Sequence, residues 1–196
     1  MEKMIEIFEN HKGFAQMRAL KKAGIHTRII AKAVKEGVIE KVKPGLYKLV
    51  EYPWDEHGSF ADVCNANKKA VVCLLSAASY WELTTFNPSE IYVAVPNNTD
   101  KFTLEYPPIK VYYFVERYYD PGIETLNTKS GTVKIYNKEK TIGDLFRYIS
   151  KIGEDIALES LKNYMRDKKR NIGNLIEFSE KCGVKRRMEP FIKGML

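Results

Sequence analysis

Residues 40–49 read EKVKPGLYKL. Pro44 presets φ at the first turn position, Gly45 accepts a positive φ at the second, and Val42, Leu46, Tyr47 and Leu49 favour strands on either side. The stretch therefore reads as a β-hairpin. The turn does not account for Lys41, Lys43 and Lys48, because lysine is a poor strand former and gains nothing from burial. From the hairpin alone two readings stand: a solvated edge that resists edge-to-edge pairing, or a cationic surface for an acidic partner.

The segments on its N-terminal side bear on that choice. HTRIIAKAVKEGV, residues 26–38, places Ile30, Ala33 and Val34 at helical spacing on an inward face, and Gly37 stops it. The opposite face carries Thr27, Arg28, Ala31, Lys32 and Lys35. One step earlier, GFAQMRALKKAGI, residues 13–25, sets Phe14, Met17 and Leu20 at three-residue steps and ends at Gly24. Met4, Ile5 and Phe8 make a first short helix, broken at His11, Lys12 and Gly13. Helix, tight glycine-containing turn and helix is the helix-turn-helix order, whose second helix presents its N-terminal residues to the major groove. With the hairpin following at once, the segment reads as a winged helix-turn-helix over residues 1–52.

The charge distribution agrees with this reading. The chain of 196 residues has a net charge of +7, and its first 50 residues hold 11 Lys and Arg against 5 Asp and Glu. Nearly all the excess positive charge thus lies in the first quarter, which points to nucleic acid as the partner. Thr27 and Arg28, at the start of the presented helix, are candidates for reading bases. Lys32, Lys35, Lys41, Lys43 and Lys48 are candidates for phosphate contacts, and Gln16 and Arg18 on the preceding helix are candidates for backbone contacts. A protein-interaction module without sequence-specific DNA binding remains the alternative.

A boundary is read at residues 53–68 from the Pro53-Trp54 break, Gly58 and a polar run, with a larger α+β domain over 69–196. Strand-like runs at 91–95, 111–115 and 133–136 precede helical periodicity at 142–149, 156–165 and 172–176, with a last short helix from Arg187 to Leu196. Along the 111–115 run, alternation turns Val111, Tyr113 and Val115 one way and Tyr112 and Phe114 the other. Ser76 reads as a helix cap. Asp144 with Glu139 or Asp155 would suggest paired carboxylates, but Glu139 and Asp144 are five apart on a helix, where they do not face each other well. The histidines are His11, His26 and His57, all outside this domain. No nucleotide or cofactor motif occurs, and no catalytic residue, metal ligand or cofactor is expected. Basic clusters at 166–170 and 185–187 read as helix ends whose cations suit a C-terminal dipole. Cys64, Cys73 and Cys182 read as reduced, buried residues. With no apolar run of membrane-spanning length and no signal peptide, a cytoplasmic location is expected.

The run from Gly13 to Leu49, with Ala23-Gly24-Ile25, Ile30 to Val34, Gly37 and Lys43-Pro44-Gly45-Leu46-Tyr47, resembles the N-terminal winged helix of the AbiEi family. LLSAASYWEL at 74–83, PSEIYVAVP at 88–96 and EKTIGDLFRYISKIGEDIALESLKNYM at 139–165 resemble that family's later motifs in the same order. Lys140 stands where the family has Arg, and Gly143 where a larger apolar residue is usual. The resemblance implies an antitoxin of an abortive-infection toxin–antitoxin system. Such a protein represses its own promoter, with double-stranded DNA as its partner. It also counteracts a nucleotidyltransferase-like toxin, and direct contact with that toxin is not implied.

Overall fold

The computed structural model describes residues 1–52 and 57–195. It is a mixed α+β structure with two sheets. The chain groups into two units. The first comprises Met1–Lys68 with two returns, Thr103–Pro107 and Asn127–Val133; the second comprises Lys69–Phe102, Pro108–Leu126 and the chain from Lys134 onward.

In the first unit, α1 (Glu2–Asn10) buries Met4 and Phe8. The chain leaves it through Gly13 at φ +84°, where a Cβ would come within 2.8 Å of the Tyr52 ring, so only glycine fits. The three-residue spacing of Phe14, Met17 and Leu20 suggests one helix, but Phe14–Gln16 form strand β1 and α2 spans only Met17–Lys22. The turn at Gly13 lays this backbone beside Leu46–Lys48, where strand pairing satisfies its N–H and C=O groups. Next comes α3 (Thr27–Lys35), which turns Ile30 and Ala33 into the core. Val34, inward by spacing, is 38% exposed. The buried stripe of so short a helix is narrow, and Val34 stands about 100° around the axis from Ala33.

The hairpin forms as expected from β2 (Ile39–Lys43) and β3 (Leu46–Leu49), with Gly45 at φ +80°. A register shift between Lys41 and Lys43 makes Val42 a bulge residue. Strand order is β1-β3-β2, all antiparallel. Of the stretch read as a boundary, Pro53 and Trp54 lie outside the described residues, and Gly58–Ala66 form helix α4, which packs on β2.

A five-stranded sheet, grouped with the second unit except for Asn127–Val133, contains β4 (Val71–Val72), β5 (Ile91–Pro96), β6 (Ile109–Phe114), β7 (Ile123–Thr128) and β8 (Gly131–Tyr136), in the order β6-β5-β4-β8-β7. β4 runs antiparallel to β5 and parallel to β8, and β5 runs parallel to β6. Strand β7 is absent from the sequence reading because an edge strand needs no continuous apolar face, and IETLNT has only two large apolar residues. On β6, Tyr112 and Phe114 point inward while Tyr113 stays exposed, and Val115 just beyond is exposed too, as alternation implies. Two short helices, α5 (Leu74–Tyr80) and α6 (Glu116–Tyr119), interrupt the strands. Ser76 does not cap α5; its hydroxyl accepts the Tyr92 N–H at 2.9 Å and fastens the start of β5.

The helices that follow are α7 (Lys138–Arg147), α8 (Ile149–Ile152), α9 (Glu154–Arg166), α10 (Ile172–Lys181) and α11 (Lys185–Gly194). The expected last helix therefore begins two residues before Arg187, and Leu196 lies outside the described residues. Asn137 and Asn171 cap α7 and α10 through their side chains. The carboxylates weighed as a pair have separate partners. Glu139 accepts the Tyr164 hydroxyl at 2.5 Å, and Asp144 accepts the Lys140 ammonium at 2.5 Å. The Lys140–Asp144 pair is enclosed, with side chains 1% and 0% exposed. Lys140 Nζ also lies 4.5 Å from the Tyr136 ring centroid and 5.1 Å from that of Phe114, so aromatic faces complete its cage. Burial raises the Asp144 carboxyl above its ordinary value, with the Lys140 charge opposing. Beside it, burial pushes the Cys182 thiol up to about 12. A Cβ at Gly143 would stand 2.7 Å from Cys182 Sγ, so the packing of α7 on Cys182 favours glycine there.

Candidate nucleic-acid interface

Helix α3 is positioned by two capping devices. His26 accepts the Arg28 N–H on its Nδ1 at 3.4 Å, starting the helix, and the Val38 N–H returns to the Ala33 carbonyl at 2.9 Å, closing it before β2. Only Ile30 and Ala33 are buried, so every other side chain of the helix faces solvent.

Thr27, Arg28, Lys32 and Lys35 are all exposed on α3, as spacing implies. Thr27 and Arg28 occupy the first turn and Lys32 and Lys35 the last. Lys32 lies 3.6 Å from Glu36 with both side chains well exposed, a contact that solvent largely screens. Ile29 stands among these cations at 41% exposure. On the hairpin, Lys41 is exposed and Lys43 half-buried at the edge of the turn.

Three candidates sit elsewhere. Lys48 donates to Asp62 of α4 at 2.7 Å, with side chains 22% and 6% exposed, and its ammonium lies 5.9 Å from the Phe14 ring centroid. Its charge is thus engaged inside the unit, a partnership that no local pattern in the sequence reveals because Asp62 is fourteen positions away. Gln16, the last residue of β1, and Arg18, in the first turn of α2, are exposed and line a cavity of about 310 Å³ with His11, Phe14, Leu46 and Lys68. Two cations outside the sequence reading, Lys21 and Lys22, are exposed in the last turn of α2. Their adjacency to the Gly24 stop was the available signal.

None of the described helices is long and apolar enough to cross a membrane. Residues 2–50, spanning α1 to β3, match the family model described as a transcriptional regulator, AbiEi antitoxin. This is the family whose motifs the sequence resembles. No curated protein matches the chain significantly.

Proposed function

We propose that this protein is a DNA-binding autorepressor and antitoxin. Its segment from α1 to β3 acts as a winged helix-turn-helix, with α3 in the major groove and the β2–β3 hairpin as the wing. The observation that carries the reading is the division of α3: Ile30 and Ala33 inward, Thr27, Arg28, Lys32 and Lys35 outward, within the residues that match a regulator family. Arg28 has the reach and fork geometry to pair bidentately with guanine, worth about 1–3 kcal/mol against the wrong base. Lys32, Lys35 and Lys41 neutralise phosphates without selecting sequence. Lys48 has no part in this role, since Asp62 holds it.

In this reading the chain from residue 69 onward is the effector that counteracts a nucleotidyltransferase-like toxin, and the protein works in the cytoplasm. Support comes from the antitoxin description of the matched family and from the order of motifs along 74–165.

The test is fluorescence anisotropy of the full chain on its own upstream DNA and on a scrambled duplex, across salt concentrations. A specific complex is expected, with log affinity falling by about 0.9 per phosphate contact against log salt. The double charge reversal Arg28→Glu and Lys32→Glu is expected to abolish it. Specific binding unchanged in that variant would overturn the reading. Equal, weak binding to both duplexes would move the role of α3 to a protein partner.

A further inference from the structure

Strand β6 lies at one edge of the five-stranded sheet and pairs with β5 in an unbroken register from Ile91↔Ile109 to Pro96↔Phe114. The Ile91 N–H donates to the Pro108 carbonyl at 2.8 Å and the Asn97 N–H to the Phe114 carbonyl at 2.8 Å, so the even-numbered residues of β6 turn their backbone groups toward β5. Alternate residues of such a strand turn theirs the other way. The N–H and C=O groups of Ile109, Val111 and Tyr113 therefore point outward from the sheet edge, where they have no hydrogen-bond partner among the described residues.

Edge strands ordinarily carry devices against pairing with another chain. The edge strand β2 of the three-stranded sheet has a bulge at Val42 and the charges of Glu40, Lys41 and Lys43. By contrast, β6 has neither bulge nor proline, and Lys110 is its one charged residue. On the face opposite the buried Tyr112 and Phe114 it shows Ile109 and Val111 half-buried and Tyr113 42% exposed. The Tyr113 hydroxyl accepts the Phe102 N–H at 3.2 Å, which fixes that side chain beside the edge.

We propose that β6 is a homodimer interface, pairing antiparallel with β6 of a second copy of this chain about a twofold axis at Val111. In this register Ile109, Val111 and Tyr113 meet Tyr113, Val111 and Ile109 of the second copy. Each pair exchanges both N–H···O bonds, so every outward group is used. Tyrosine against isoleucine and valine against valine are apolar cross-strand pairs of the kind that stabilise sheets. Lys110 meets Tyr112 of the second copy instead of its own like charge. An axis at Lys110 would oppose two ammonium groups, and one at Tyr112 would call on the Val115 carbonyl, which already accepts the Tyr118 and Tyr119 N–H groups. A foreign strand would require no such palindrome, so the self-complementarity of the edge selects a second copy as its occupant.

The test is the mass of the full chain by light scattering behind size exclusion, across protein concentrations. The wild type is expected at twice 22.6 kDa. Val111→Lys sets two like charges directly opposite each other and should return the protein to a single chain with unchanged circular dichroism. Val111→Cys should cross-link to itself on mild oxidation, because a hydrogen-bonded pair holds its Cα atoms about 5.5 Å apart, within disulfide reach. Tyr113→Cys should not, since the two copies of that position lie about 13 Å apart along the strands. Cys64, Cys73 and Cys182 are buried and give no background. If Val111→Lys does not fold, the cross-link decides. A wild type that stays monomeric up to about 100 μM overturns the proposal. So does a dimer that a folded Val111→Lys leaves intact, or one in which Val111→Cys fails to cross-link, either of which would place the contact elsewhere.

Discussion

Lysines at the i position and acids at i+4 meet on α3 and on α7, and these two pairs could hardly differ more. On α3, Lys32 meets Glu36 at 3.6 Å with 68% and 45% of the side chains exposed; on α7, Lys140 meets Asp144 at 2.5 Å with 1% and 0% exposed. The first pair exchanges hydration for little and leaves the cation available to a ligand. The second has already given up its water, so each partner depends on the other. Spacing creates both contacts, and burial decides whether the charge serves binding or the fold.

The largest expected effect breaks the buried pair. Lys140→Met leaves Asp144 enclosed without its counter-charge and should cost about 3–5 kcal/mol in denaturant unfolding at neutral pH. The deficit should depend on pH in a defined direction. Burial already raises the Asp144 carboxyl, and losing Lys140 removes the attraction that opposes this rise. Over the window between that raised value and the ordinary value near 3.9, the folded variant holds a proton that the unfolded chain does not. Its stability therefore falls as pH rises, and the deficit should shrink as pH is lowered from about 7 toward about 5. A deficit that is constant or grows on acidification would show that Asp144 is not the group left exposed to the loss.

The intermediate case tests where the N-terminal unit divides its lysines. Lys48 and Lys41 belong to one hairpin, yet Asp62 of α4 holds the first while the second is exposed. Lys48→Ala should lower stability by about 1.5–3 kcal/mol, the range for a charge-assisted hydrogen bond, and leave the salt dependence of DNA binding unchanged. Lys41→Ala should stay within about 0.5 kcal/mol in stability and reduce the salt slope by about 0.9. Exchange of these outcomes would mean that the Lys48–Asp62 pair opens on DNA.

These contrasts also mark what the sequence makes legible. The inward stripe of α3 and the Pro44-Gly45 hairpin follow from local rules, because a helical period and a turn each involve neighbours in the chain. The role of Lys48 does not, because Asp62 is brought to it by tertiary packing. Lys140 is invisible for the same reason: its spacing to Asp144 matches a surface pair, and only Tyr136 and Phe114 closing over it make it a core residue. The strand at Phe14–Gln16 is hidden behind helical spacing, since the decisive contacts are with Leu46–Lys48 of β3, distant in the sequence. The apparent capping of a helix C-terminus by Lys185 to Arg187 fails because Gly183, at φ +72°, ends α10 and the cations begin the next helix instead.

The smallest expected effect sharpens the comparison from the exposed side. In Lys32–Glu36 the lysine precedes the acid, the weaker order for a helical pair, so Glu36→Gln should change stability by less than about 0.5 kcal/mol. The same substitution removes a negative charge beside a cation proposed to meet phosphate. DNA affinity should therefore rise by about twofold at low salt, and the gain should vanish as salt screens it. A loss of affinity in anisotropy titrations would mean that Glu36 holds Lys32 in its binding posture. Position would then count for this pair despite its exposure, and burial alone would no longer separate the two helices.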